Sequence, residues 1–274
     1  MTLSRRHFLA LGGTAAAAAA VPVSSASAST RPPVVVAPFN AAQWKRVFVT
    51  DFPVNVPLGQ FPKAVSREWA AYAHGSLDTA AKSGLPVGGI YDPATTTWVN
   101  GGCLHVRQWR GASGPVHCST PYPRAANGVL YGRFVEVTRV SHATVGYKSA
   151  HMLWPSQSPR RWEIDWPENN WAGIGATPHG FDHFDKTANA QRLAWVTSAS
   201  WTAWHTYEIR WTPSSLALYL DGTRIGHTTR AAAVPHEHMG WRLQNESALI
   251  GALAAPHTSA QIDTSHVEYW SWAG

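Results

Sequence analysis

The chain of 274 residues has only two cysteines, three methionines and 14% charged residues. Two cysteines exclude a disulfide framework and a four-cysteine zinc site. So low a charged fraction, beside 45% hydrophobic residues, excludes a charge-rich disordered chain. No run of basic residues and no recognisable nucleic-acid motif accompany the net charge of +6, so a mixed, solvated surface is expected and nucleic acid is not a partner. No G-x-S-x-G elbow is present, which removes an acyl hydrolase of that type. Long helical periodicities are also scarce; Ala64–Ala73 is the best candidate for a short helix, and Asp182–Gln191 is ambiguous.

What is abundant is tryptophan, 15 residues, together with 22 glycines and 19 prolines spread along the chain. That punctuation suits many short strands joined by turns. Residues 1–28 read as an address. Arg5-Arg6 precede a weakly apolar, alanine-rich stretch, and Ala26-Ser27-Ala28 supplies a small-residue cleavage pattern, as in a twin-arginine export signal. The stretch is too short and small-sided to span a bilayer well, and no other segment of the sequence reads as a span, so no membrane is expected after signal removal. Residues 29–45 read as a linker or N-terminal arm, and 46–274 as one domain. After export, a Cys103–Cys118 disulfide and two separate thiols are both open.

Strands are expected at Arg46–Phe52, Cys103–Trp109, Leu130–Val140, Tyr147–Trp154, Arg192–Thr197 and His266–Trp272. The clearest unit runs from Trp204 to Thr229. Tyr207, Ile209 and Trp211 alternate with polar residues, and Thr212-Pro213-Ser214-Ser215 makes a turn. Leu216, Leu218 and Leu220 alternate again, and Asp221-Gly222 closes a tight hairpin. Many antiparallel strands with varied turns point to an all-β sandwich or jelly roll.

The sharpest feature is Glu163-Ile164-Asp165-Trp166-Pro167-Glu168. Chance would supply such an E-x-D-x-x-E match less than roughly once in a hundred chains of this composition. Glu163 and Asp165 share a strand face, but Glu168 would point the other way unless one residue is bulged out. Pro167 suits a bulge, having no N–H for the ladder. With the bulge, three carboxylates line one face. Two of them at close range are what a retaining glycosidase needs, one ionised as nucleophile and one as acid and then base. Clustered oxygens also suit calcium, so a structural calcium stays open although no cofactor is required.

This segment resembles the active-site signature of glycoside hydrolase family sixteen in its bulge-containing, laminarinase-like form. Other segments are similar in order: Asp51-Phe52, Gly101 to Leu104, Tyr131-Gly132-Arg133-Phe134, Trp204 to Glu208, Trp211-Thr212-Pro213 and Tyr219 to Gly222. The resemblance implies a two-sheet β-jelly roll with a concave glycan cleft. It implies Glu163 as nucleophile, Glu168 as acid/base and Asp165 as the residue that tunes the nucleophile. It further implies an endo-hydrolase whose partner is a polysaccharide, β-1,3-glucan by default, or a transglycosylase if a sugar replaces water; the export signal adds secretion, and a monomer is expected. A non-catalytic carbohydrate-binding jelly roll is the other class considered. Trp162 rather than Gly precedes the nucleophile position, and the strand before the motif, Ala150 to Pro155, departs from the usual tryptophan-rich form.

Trp154 and Trp171 flank the acids and are open to either sugar stacking or the core, whereas alternation sends Trp162 and Trp166 inward. His179 matches a family position near the acids, with a surface loop as its other reading. Arg133 matches a strand arginine of the family. Arg242 and Gln244 alternate with Trp241 and Leu243, so they face either sugar or solvent. The His183, Asp182 and Asp185 group and the His236-Glu237-His238 run match no zinc motif, so no metal ligands are assigned.

Overall fold

The Asp221-Gly222 hairpin forms as its dipeptide predicts. Asp221 and Gly222 take φ of 48° and 75°, the double left-handed conformation of a two-residue turn. It joins strands Ser215–Leu220 and Thr223–Thr228, and the former pairs with His205–Thr212 across the proline turn. The computed structural model describes residues 32–157, 159–185 and 190–274. The expected export signal at 1–28 lies outside the described residues.

Two sheets make the sandwich. The larger has ten strands. Its continuous path is Thr223–Thr228, Ser215–Leu220, His205–Thr212, Gly132–His142, Thr258–Trp272, Cys103–Arg110, Val116–Cys118 and Gly89–Tyr91. Trp44–Thr50 adds to Thr258–Trp272, and Thr97–Asn100 to Cys103–Arg110. The smaller has six, in the order Gln191–Val196, His179–Phe184, Glu163–Asn170, Tyr147–Pro155, Met239–Ser247 and Asn127–Val129. Pairing is antiparallel except between Gly89–Tyr91 and Val116–Cys118. This is the all-β jelly-roll architecture.

The core fills the space between the sheets. Phe134, Ile209, Trp211, Leu218 and Tyr269 meet Leu153, Ile164, Trp166, Trp241 and Leu243. Each buried indole removes about 200 Å² from water, worth roughly 5 kcal/mol before entropy is counted. Trp166 also ties the two sheets together: its Nε1 donates to the Tyr219 carbonyl at 3.0 Å, and its ring meets Tyr207 edge-on. Trp162 packs against the same core, with Nε1 donating to the Ala232 carbonyl.

Several expectations change. Ala64–Ala73 is not a helix; a 3₁₀ turn spans Lys63–Val65, and Trp69–Ala71 pairs with Pro121–Pro123. Trp69 prefers the aromatic cluster of Phe48, Phe52 and Phe61 to a helical position. Asp182 to Phe184 continues a strand rather than starting a helix. Cys103 and Cys118 are not bridged. The register Trp109↔His117 sets Cys118 alongside Gln108. Five residues of strand, about 17 Å, then separate it from Cys103, far beyond disulfide reach.

The 32–40 segment lies on the larger sheet, where Val35 N–H donates to Thr206 Oγ1 and Arg210 donates to the carbonyls of Ala37 and Pro38.

Candidate active site

The bulge sits where Pro167 suggested. Asp165 pairs with Met152 and Glu168 with Ala150, so His151 alone faces Trp166 and Pro167. On the other side, Glu163, Asp165 and Glu168 pair with His183, Phe181 and His179. The extra residue restores the alternation, and all three acids share a face with these partners. Ile164 and Trp166 point into the core.

That face opens onto a cavity of about 760 Å³. Glu163 lines it with Met152 and Trp154 of the adjacent strand and Arg242 and Gln244 of the strand beyond, and Tyr72 and Tyr91 line it as well. Farther along the same face, Lys148 is buried. Its Nζ donates to Glu168 Oε1 at 2.7 Å and lies 3.7 Å from Glu246 Oε1. Burial would lower the Lys148 pKa, but Glu168 and Glu246 outweigh it and hold the pKa above its ordinary value, so the ammonium persists. Glu246 accepts from Thr79 N–H and Tyr91 Oη–H.

His183 Nε2 approaches Asp165 Oδ2 at 3.5 Å. His179 contacts Asn169 and Thr177; burial lowers its pKa against the pull of Glu168, which keeps the imidazole neutral near pH 7. Asp165, Glu168 and His183 each bring a ligand atom within 4.8 Å of the others. An imidazole in the set and an ammonium on Glu168 fit calcium poorly, since calcium takes six to eight oxygens.

The sequence-based candidates divide cleanly. Glu163, Trp154 and Gln244 line the cavity, and Asp165, Glu168 and His179 sit on the same sheet face. Trp171 does not. It is 2% exposed in a second core cluster, its Nε1 donating to Ser149 Oγ on the inner side of the strand. Arg133 does not either. It lies on the larger sheet, bonded to Glu208 and Glu268, with Phe39 stacked at 4.2 Å. It fastens the N-terminal arm. Lys148 and Arg160 went unnoticed in the sequence. Strand parity with Met152 and Trp154 places Lys148 on the acid face, but its burial rests on the two carboxylates of the neighbouring strands.

Asp182 carries a separate cost. It is fully buried on the inner face, and neither carboxylate oxygen has a hydrogen-bond partner among the described residues. Burial raises its pKa from 3.8 to about 8. The folded state therefore holds a proton that the unfolded state releases. The stability this confers is full below pH 3.8 and is lost by up to about 1.4 kcal/mol per pH unit as pH rises towards 8. Asp182→Asn removes the titration. Its Tm relative to wild type should rise by several degrees between pH 5 and pH 8; a gap independent of pH would show that Asp182 does not titrate in this window.

The sequence profile for "Glycosyl hydrolases family 16" matches residues 108–269. A search of curated protein sequences returns no match. Among solved structures, the fold is similar to LamAcat from Zobellia galactanivorans (TM-score 0.65, 16% identity, covering 84% of this chain and 99% of that one). It is also similar to the catalytic domain of an endo-1,3-beta-glucanase (laminarinase) from Thermotoga petrophila RKU-1 (0.64, 13%, 84% and 99%). A third is an immunostimulatory antigen and pseudo beta-1,3-glucanase of Mycobacterium tuberculosis (0.61, 16%, 82% and 98%). At these identities the likeness is one of fold.

Proposed function

The chain belongs to glycosyl hydrolase family 16, and on that footing we propose that it is a secreted, endo-acting glycosidase that cleaves a β-linked polysaccharide with retention. β-1,3-Glucan is the first candidate for the backbone. The observation that carries this reading is the bulge, which turns Glu163, Asp165 and Glu168 to one face beside a sugar-sized cavity. Secretion rests on the export signal expected at 1–28, and the assembly is expected to be a monomer without a required cofactor.

In the first step a Glu163 oxygen attacks the anomeric carbon while Glu168 gives its proton to the departing glycosidic oxygen. The C–O bond to the leaving sugar breaks as the glycosyl–Glu163 ester forms. In the second step Glu168, now a carboxylate, takes a proton from water, whose oxygen displaces Glu163. Asp165, between the two on the ladder, steadies the nucleophile, with His183 behind it. Glu168 must leave Lys148 to deliver a proton, and Lys148 receives it again as an anion.

That same ion pair favours a second reading, a glycan-binding jelly roll without turnover. Product release from laminarin, curdlan, barley glucan, agarose and chitosan separates the two. Reducing ends should appear from one polymer, with the β anomer first by proton NMR. An initial α anomer would exclude retention, and binding of a polymer with no release would leave the binding reading.

A further inference from the structure

Outside the cavity, four buried or half-buried cations pair with carboxylates, and a fifth, Arg110, rests on the carbonyls of Gly114 and Ala254. Arg133 meets Glu208 and Glu268, Arg139 meets Asp263, Arg210 meets Glu208, and Lys148 meets Glu168. The cavity gathers cations with few acids. Exposed Lys82 and Arg160 and buried Arg242 line it, and Glu163 is the one acid among the lining residues. Among the described residues, none of the three cations forms an ion pair with a carboxylate.

Arg242 is the telling case, because it is only 9% exposed. One Nη donates to Asn127 Oδ1 at 2.6 Å and the other to the Trp241 carbonyl at 3.0 Å, while the guanidinium lies 4.1 Å over Tyr122. Nε has no partner. Tyr72 beside it is no counter-ion, since burial raises the phenol's pKa despite Arg242. The guanidinium lies close over the Gly240 backbone, where a Cβ would stand 2.5 Å from Nη1. A guanidinium has five donors, and those not used here match a planar or tetrahedral oxyanion. Arg160, 5.3 Å over the Trp154 ring, sets a second cation at the rim of an indole platform. A nearly buried charge with no counter-ion is costly unless something else compensates it.

We propose that the cleft takes a glycan bearing negative charge, as a carboxylate or a sulfate ester on its sugars, recognised by Arg242 and Arg160. The inference rests on the glycan-cleft reading above and adds the substrate class. Neutral and charged versions of one backbone then differ by a charge-assisted contact, about tenfold or more in affinity.

The test is binding rather than turnover, measured in the Glu163→Gln background so that no polymer is consumed. Two matched pairs are compared: laminarin with 6-carboxylated laminarin, and desulfated κ-carrageenan with κ-carrageenan. The charged member of one pair should bind at least about tenfold tighter at low salt, and the pair that responds tells carboxylate from sulfate. Arg160→Gln and Arg242→Gln should each erase most of that preference. Arg107→Gln, an exposed arginine outside this cavity, makes the same change in net charge and should keep it. Equal binding within both pairs would overturn the proposal. So would an equal loss in Arg107→Gln, which would reduce the preference to general basicity. If Arg242→Gln fails to fold, the exposed Arg160→Gln still decides. Charged-polymer binding without hydrolysis by wild type would sink the glycosidase reading and leave this one standing; hydrolysis of laminarin without any charge preference would do the reverse.

Discussion

Glu163→Gln should lose turnover by at least about ten-thousand-fold while keeping the wild-type fold and its grip on polymer. The amide has the shape of the carboxylate but no charge to place on an anomeric carbon, so the glycosyl ester cannot form. Little else should change, because Glu163 lines the cavity and lies outside the core between the sheets. The check is kcat on the polymer released by wild type, with Tm and binding measured on the same preparations. Wild-type activity in the variant would place the nucleophile elsewhere. Glu168→Ala tests the partner role. An aryl glycoside with a good leaving group needs no proton in the first step, so this variant should keep much of that step and lose activity on natural polymer. Equal losses on both substrates would remove Glu168 from the acid role.

The carboxylate site was legible because its chemistry is local. Glu163 to Glu168 is one strand, and an odd spacing with a proline in it announces a bulge whether or not the partner strands are known. The hairpin from His205 to Thr228 was legible for the same reason, since turn residues and period-two alternation act over a few residues. Trp171 and Arg133 mark the limit. Each stands in a segment that looks right for sugar, yet which side of the sandwich a side chain meets depends on non-local pairing. Trp171 turns inward to Ser149, on a strand met across the ladder, and Arg133 belongs to the other sheet. The cysteine pair fails likewise: 15 residues apart in sequence is near enough, but the register of two strands sets them far apart. Lys148 was missed for a different reason. A lysine in a strand reads as solvated, and only the carboxylates on both neighbouring strands make its burial tolerable.

Those two carboxylates make Lys148 the most consequential residue outside the acid trio. Lys148→Met keeps the volume of the chain and removes the charge, leaving Glu246 buried and Glu168 without its anchor. Breaking a buried pair by removing one partner costs about 3–5 kcal/mol, and a domain of this size loses about 2–4 °C per kcal/mol. A Tm roughly 10 °C lower is therefore expected near neutral pH. The loss should shrink in acid. Burial already raises the pKa of Glu246, with Asp78 adding to it and Lys148 opposing. Without Lys148 the pKa rises further, so the folded state takes up a proton and relieves the charge at low pH. Stability of the variant relative to wild type thus falls as pH rises from 5 to 8, the sign for a folded-state carboxylate with a raised pKa. The double variant Lys148→Met/Glu246→Gln separates electrostatics from packing. Restoring the acid's neutrality permanently should recover a large part of the lost Tm at pH 8 and little at pH 5. A double variant no more stable than Lys148→Met at either pH would mean that the lysine's methylenes, and not its charge, hold this corner of the cleft together.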